Sequence, residues 1–142
     1  MNTLNIGNKT CEFKWYVIDA TDKVLGRLAS VVATYLIGKN RENYSTNIDL
    51  GDFIIILNIE KVRVSGVKYL NKVYNKHSGY PGGLKSVEYR KLHIESPDKV
   101  FLTSVKGMLP RNKLLQMRLN KLKVYIGGRH PHSAHKLTFL EV

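Results

Sequence analysis

Between Gly66 and Leu84 the chain interleaves cations with rings: Lys68, Tyr69, Lys72, Tyr74, Lys76, His77 and Tyr80. Lysines neutralise phosphates, while tyrosine and histidine rings stack on unpaired bases or pack on riboses. Glycines are dense in the same stretch (Gly66, Gly79, Gly82, Gly83), and glycine lets main-chain N–H groups come close to phosphate oxygens. The combination points to nucleic-acid binding. The plainer account is a solvated surface loop whose tyrosines pack back on the body.

A second constellation runs from Lys106-Gly107-Met108-Leu109-Pro110-Arg111 through Lys113, Arg118, Lys121 and Lys123. On a helix opened by Pro110, Arg111 and Arg118 stand two turns apart and share a face, opposite Leu115, Leu119 and Leu122. A helix with one apolar and one cationic face also suits a membrane surface. Its apolar positions have the spacing of ordinary core, however, and the basic charge extends well beyond it, so RNA is the expected polyanion. The tail adds Arg129, His130, His132 and His135. Histidines at i, i+2 and i+5 match no common metal-ligand spacing, and no cysteine or nearby carboxylate completes a set. No metal or cofactor is expected there, and a cationic, stacking tail accounts for the same residues.

Charge distribution sharpens this reading. The chain carries 23 Lys+Arg against 11 Asp+Glu, a formal +12 over 142 residues. Residues 1–60 hold 6 basic and 7 acidic side chains, and residues 61–142 hold 17 and 4, with all five histidines. One-sided charge is expected where a domain meets a polyanion. Cys11 is the only cysteine, which excludes an internal disulfide and a thiolate metal cage. The longest aliphatic or aromatic run, Phe53 to Leu57, is far short of a membrane span. The first dozen residues lack the apolar core of a secretory signal.

The elements that must position these groups begin with Trp15 to Ala20, aromatic and β-branched, a buried strand. Thr21 or Asp22 is a suitable cap for a helix bearing Leu25, Leu28, Ala29, Val32, Ala33 and Leu36, which Gly38 stops. Phe53 to Asn58 reads as a strand covered on both faces, as in a parallel sheet. Val62 to Ser65 is a shorter third candidate. Gly66 to Leu84 reads as a long ordered loop. Helices are expected near Ser86, from Ser96-Pro97 to Gly107, and after Pro110. Lys121 to Ile126 alternates as a final strand, and beyond Gly128 no core pattern remains. This organisation predicts an extension (1–14), a single α/β domain (15–128) and a basic tail (129–142).

A strand-helix-strand start also opens nucleotide-binding enzymes, but those place glycines in the first turn. Here that turn is Asp19-Ala20-Thr21-Asp22-Lys23-Val24-Leu25, without glycine and with two carboxylates. Asp19, Asp49 and Asp52 are a conceivable acid set. Their plainer roles are capping the first helix (Asp19 and Asp22) and turning the chain before the second strand (Asp49 and Asp52). No catalytic residue is assigned. A nucleotide-dependent enzyme and a free-standing RNA-binding regulator are the rivals to a structural RNA-binding protein.

Several segments in this order closely resemble the bacterial and organellar large-subunit ribosomal protein family numbered thirteen. They are Trp15-Tyr16-Val17-Ile18-Asp19-Ala20, Leu25-Gly26-Arg27-Leu28-Ala29, Gly51-Asp52-Phe53-Ile54-Ile55, Lys72-Val73-Tyr74 with His77-Ser78-Gly79, Gly82-Gly83, Lys106-Gly107-Met108-Leu109-Pro110 and Lys121-Leu122-Lys123-Val124-Tyr125. The resemblance implies a three-layer α/β/α domain with a mostly parallel four-stranded sheet. It also implies binding to large-subunit ribosomal RNA beside neighbouring ribosomal proteins, a role in assembly, and no catalysis or small-molecule substrate. By position it implies RNA contacts at Arg27, Lys39, Lys61, Lys68, Lys72, Tyr74, His77, Lys106, Lys121 and Lys123, with Gly79, Gly82, Gly83 and Gly107 permitting backbone turns. Arg111 and Arg118 enter from charge, and Arg129 and His130 from the basic tail. Ser45-Thr46-Asn47 replaces the family's usual Thr-Pro-His, and Leu114-Leu115-Gln116 its Leu-Gly-Arg, so contacts at Asn47 and Gln116 are not carried over. Sixteen Lys against seven Arg, with eleven Asn and ten Ile, suggest an A/T-rich coding sequence. With the tail Gly-Gly-Arg-His-Pro-His-Ser-Ala, this favours a plastid ribosome, with the bacterial cytoplasm as alternative.

Overall fold

The computed structural model describes residues 4–6 and 9–142, with side chains from residue 12 onward; the Cys11 thiol and the first three residues lie outside that description. β1 (Leu4–Ile6) and β2 (Lys9–Cys11) pair as an antiparallel ribbon. The main sheet contains β3 (Trp15–Asp19) and β4 (Phe53–Leu57), in parallel register from Trp15↔Phe53 to Asp19↔Leu57. Between them runs α1 (Leu25–Ile37), ended by Gly38 at φ 82°. Its buried residues, Leu25, Leu28, Ala29, Val32, Ala33, Leu36 and Ile37, follow the apolar spacing of the sequence.

Neither Thr21 nor Asp22 caps α1. The helix starts later, from Val24, and its Leu25 N–H donates to Arg63 O at 2.8 Å. A backbone carbonyl thus satisfies a donor that a side chain was expected to take. Residues 62–65 form no strand beyond the single parallel bridge Val24↔Arg63, and a 3-10 turn (Ile59–Lys61) precedes them. Asp19 instead stabilises the turn after β3. Its Oδ1 accepts from Thr21 N–H (3.0 Å), the Thr21 hydroxyl (2.7 Å) and the Asn58 amide (3.0 Å). These bonds, led by that from Asn58, hold its carboxyl below the usual aspartate range.

The stretch expected as a loop is a β-hairpin. A one-turn helix, α2 (Lys68–Asn71), leads into β5 (Val73–His77), which pairs antiparallel with β6 (Leu84–Glu88). β6 occupies the place of the helix expected near Ser86, and α3 (Tyr89–Glu95) follows it. Polar strands of this kind carry no buried alternation, so pairing rather than patterning defines them. α4 (Pro97–Met108) has Pro97 in its first turn, as expected, but runs through Gly107. α5 (Leu115–Asn120) starts five residues after Pro110, so Arg111 is not on it.

β7 (Leu122–Val124) joins β4, and the tail contributes β8 (Leu137–Phe139) beside β3. The sheet order is β7-β4-β3-β8, with every pairing parallel. The tail is therefore part of the sheet, although three residues were too few to show a pattern. On one face Ile18, Ile54, Ile56 and Leu122 pack with α1 and α4, including Val100, Phe101 and Val105. The chain returns from β7 to β8 in the opposite sense along the sheet, and a right-handed crossover then lies on the other face. That face carries Trp15, stacked on Phe53 (centroids 4.4 Å) and on His135 (4.0 Å). Segment 125–136, which contains no helix, packs His132 and His135 against Trp15 on this face.

Candidate nucleic-acid interface

Two half-open clefts flank the C-terminal end of α4, and Met108 lines both. The first, about 350 Å³, lies where the start of α1, the base of the hairpin and the end of α4 meet. Its lining includes Gly26, Ser65, Lys68, Lys72, Tyr74, Ser104 and Gly107. Arg27 and Lys106, each next to a lining glycine in sequence, are exposed. Among the described residues no Asp or Glu lines this cleft. Lys72 Nζ sits 5.1 Å over the Tyr74 ring, so one cation and one aromatic face are presented together. The Tyr74 hydroxyl is buried without a partner.

The hairpin is tied to the body at its base. Tyr89 N–H donates to Lys72 O at 2.7 Å, and the buried Tyr89 ring meets Tyr69 (5.9 Å), Tyr74 (6.4 Å) and His93 (5.4 Å). Burial first, then Tyr74 and Tyr69, pushes the Tyr89 phenol up to about 12. At the far end His77 is exposed, and its Nδ1 accepts from Gly79 N–H. Gly79 (φ 91°) and Gly82 (φ 71°) take left-handed conformations at the tip, as expected. Gly83 serves differently: a Cβ there would lie 2.0 Å from Ser78 Oγ. Gly107 is helical with open space beside it, and makes no turn.

The second cleft, about 390 Å³, is lined by Ile37, Lys39, Tyr44, Thr46, Leu109, Pro110, Asn112 and Arg118 as well as Met108. Arg118 does not share an exposed face with Arg111. Its side chain is 1% exposed, with Nε 3.9 Å from Asp49 Oδ1. Lys121 is also turned inward, donating to Asp49 Oδ2 (2.9 Å) and Gly51 O (2.8 Å), and lying 4.2 Å over the Phe13 ring. Asp52 is buried too, paired with Arg41 and accepting from Lys14 N–H (3.0 Å). Asp49 and Asp52 thus anchor cations in the interior, beyond the turn-forming role expected of them.

Lys61 and Arg111 are exposed. Lys123, Arg129 and His130 are not gathered with the clefts. By strand alternation Lys123 faces the layer formed by 125–136, where His132 Nε2 meets the Tyr125 hydroxyl at 2.7 Å. Sequence reasoning missed Ser65, Ser104, Tyr44 and Asn112 among the cleft residues. Nothing in their types or spacing marks them; only the fold brings them in. Among the described residues no three His, Cys, Asp or Glu side chains gather as a metal site, and no helix is long and apolar enough to cross a membrane.

The family model described as Ribosomal protein L13 matches residues 13–131. The chain belongs to the ribosomal protein L13 family. Its relatives include large ribosomal subunit protein uL13 of Hahella chejuensis, 47% identical over all of both chains. That of Symbiobacterium thermophilum is 48% identical, again over all of both chains. That of Legionella pneumophila is 45% identical over all of this chain and 99% of the other. The L13 match includes the α1 start, the hairpin and both clefts, and ends just short of β8.

Proposed function

We propose that this protein is a structural constituent of the large ribosomal subunit, where it binds large-subunit ribosomal RNA, abuts neighbouring ribosomal proteins and performs no catalysis. Family membership with near-complete coverage supports this role. The observation that carries the RNA-facing side is the acid-free first cleft, with Lys68, Lys72 and Tyr74 in its wall and Arg27 and Lys106 beside it. Lysines there neutralise phosphates while Tyr74 offers a ring to a base or ribose. The exposed Lys39, Lys61, His77, Arg111 and Arg129 extend the contact. His130 and Lys123 belong to it only through the tail, and Lys121 acts indirectly by holding Asp49 and Gly51 in place.

The domain works as one unit, tail included, holding RNA segments together during assembly. The site of action is the ribosome. The Lys-, Asn- and Ile-rich composition and the tail support the plastid stroma, and the bacterial cytoplasm is the alternative. The genome that encodes the chain decides between them.

The test is binding to transcribed bacterial large-subunit rRNA across a salt series. With about five phosphates contacted, log affinity falls against log salt with a slope of roughly −3.5 to −4.5. Binding that ignores salt, or loss of the protein from large subunits washed in moderate salt, overturns the proposal.

A further inference from the structure

We propose that the second cleft receives a single phosphate group of the RNA chain, with the buried Arg118 as its principal ligand. The inference rests on the RNA-binding reading and assigns a particular site within it.

The argument begins with an imbalance of charge. Asp49 lies between Lys121 and Arg118, so one buried carboxylate faces two cations. Lys121 holds Oδ2 at hydrogen-bond distance, whereas Arg118 Nε stands 3.9 Å from Oδ1, too far to bond. Among the described residues, Nε and Nη2 of Arg118 are buried without a hydrogen-bond partner, as is Asp49 Oδ1; even with Nε and Oδ1 drawn together, Nη2 stays unmet. A guanidinium does not shed its proton in a protein, so burial cannot relieve itself by neutralisation. An ionised group out of water with unmade hydrogen bonds is strongly unfavourable, and a bound anion facing the guanidinium offsets its charge.

The cleft beside Arg118 suits such an anion. Among the described residues no Asp or Glu lines it. Lys39 supplies a second cation from an exposed position at the rim. Asn112 uses Oδ1 to accept from Leu114 N–H (3.1 Å), which leaves its NH2 group to donate to a ligand. Leu109 and Pro110 form apolar wall, and a lowered local dielectric strengthens charge-assisted bonds. Arginine's planar fork matches two phosphate oxygens at once. A nucleic-acid phosphate is favoured over a protein carboxylate by continuity. Met108 lines both clefts, so an RNA strand following the first passes the mouth of the second, and Arg111 and Lys113, on either side of the lining Asn112 in sequence, are exposed.

Two measurements test this on the full chain. The first follows the Arg118 Nε–H signal by NMR while inorganic phosphate is added to the wild-type protein. A saturable shift at Arg118 is expected, and none at that group overturns the proposal. The second repeats the rRNA salt series with Arg118→Met, whose fold is checked by circular dichroism. The slope is expected to become shallower by about 0.7 to 0.9, the loss of one phosphate contact. A wild-type slope retained by Arg118→Met overturns the pocket alone. A wild-type protein whose binding ignores salt overturns the RNA reading and the pocket with it. If Arg118→Met keeps its slope but no longer stays in washed subunits, the occupant is an acidic group of a neighbouring protein and the proposal fails.

Discussion

The helix-covered face of the sheet buries Ile18, Ile54, Ile56, Val100 and Phe101 to 1% exposure or less, while the β5–β6 hairpin leaves every strand residue but Tyr74 exposed. The first region is held by apolar area removed from water. The second has no core of its own, and a two-stranded ribbon alone is marginal in water. Its attachment is concentrated at Tyr89, Tyr74 and the Lys72 carbonyl. The contrast teaches that part of the proposed RNA-facing set, Tyr74 and His77 with Lys72 beside them, stands on the least self-sufficient part of the molecule, whereas Arg27 and Lys106 stand on packed helices. Many cations held close together repel one another and gain from a polyanion, so binding is expected to order what packing does not.

Phe101→Ala tests the packed side and should have the largest effect. Its ring is fully buried between helices and sheet, so truncation should cost about 3 to 5 kcal/mol in urea unfolding and lower hydrogen-exchange protection throughout the sheet. A loss under about 1 kcal/mol would break the comparison. Tyr89→Ala should cost less, about 2 to 3 kcal/mol, because exposed neighbours can close over the gap. Its signature is local: the amides of β5 and β6 lose protection before those of β3 and β4. Tyr89→Phe should cost almost nothing, since the buried hydroxyl has no partner to lose. Equal loss of protection in hairpin and sheet on Tyr89→Ala would show that the two regions are one cooperative unit. Lys68→Ala and Lys72→Ala should leave stability within about 0.5 kcal/mol of wild type. Each should make the rRNA salt slope shallower by about 0.7 to 0.9.

How much of this was legible follows the same division. The β3–α1–β4 unit could be read because Leu25, Leu28, Val32 and Leu36 keep helical spacing and Phe53 to Leu57 forms one apolar run. α4 was marked by Pro97. The hairpin was not, because Lys72 to Glu88 offers composition but no buried alternation, and its strands exist by pairing with each other. Leu137–Phe139 was equally silent: three residues gain strand character only from the open edge of β3. Residue type alone singles out Lys68, Lys72 and Lys106, and the fold places them in or beside the first cleft. Type also singles out Arg118 but not its burial, since an arginine among leucines reads as surface until Asp49, distant in sequence, is folded beneath it.

The layer formed by 125–136 gives the smallest effect and stands between the two regions, being ordered by stacking rather than by a core. His132 lies 5.3 Å from Trp15 and bonds the Tyr125 hydroxyl. Burial first, then the charge of Lys123 and the neighbouring His130 and His135, holds its imidazole below the usual 6.5. A depressed value means that the folded chain binds fewer protons than the unfolded one. The stabilising contribution is therefore complete above about pH 6.5 and is lost as pH falls through the folded value. Trp15 is the only tryptophan, so its fluorescence reports this layer directly. Between pH 7.5 and 5 its emission should move toward that of a solvated indole, and β8 amides should lose protection while those of β4 do not. His132→Gln should flatten this response. A tail held more firmly at pH 5 would reverse the sign and place 125–136 with the packed core.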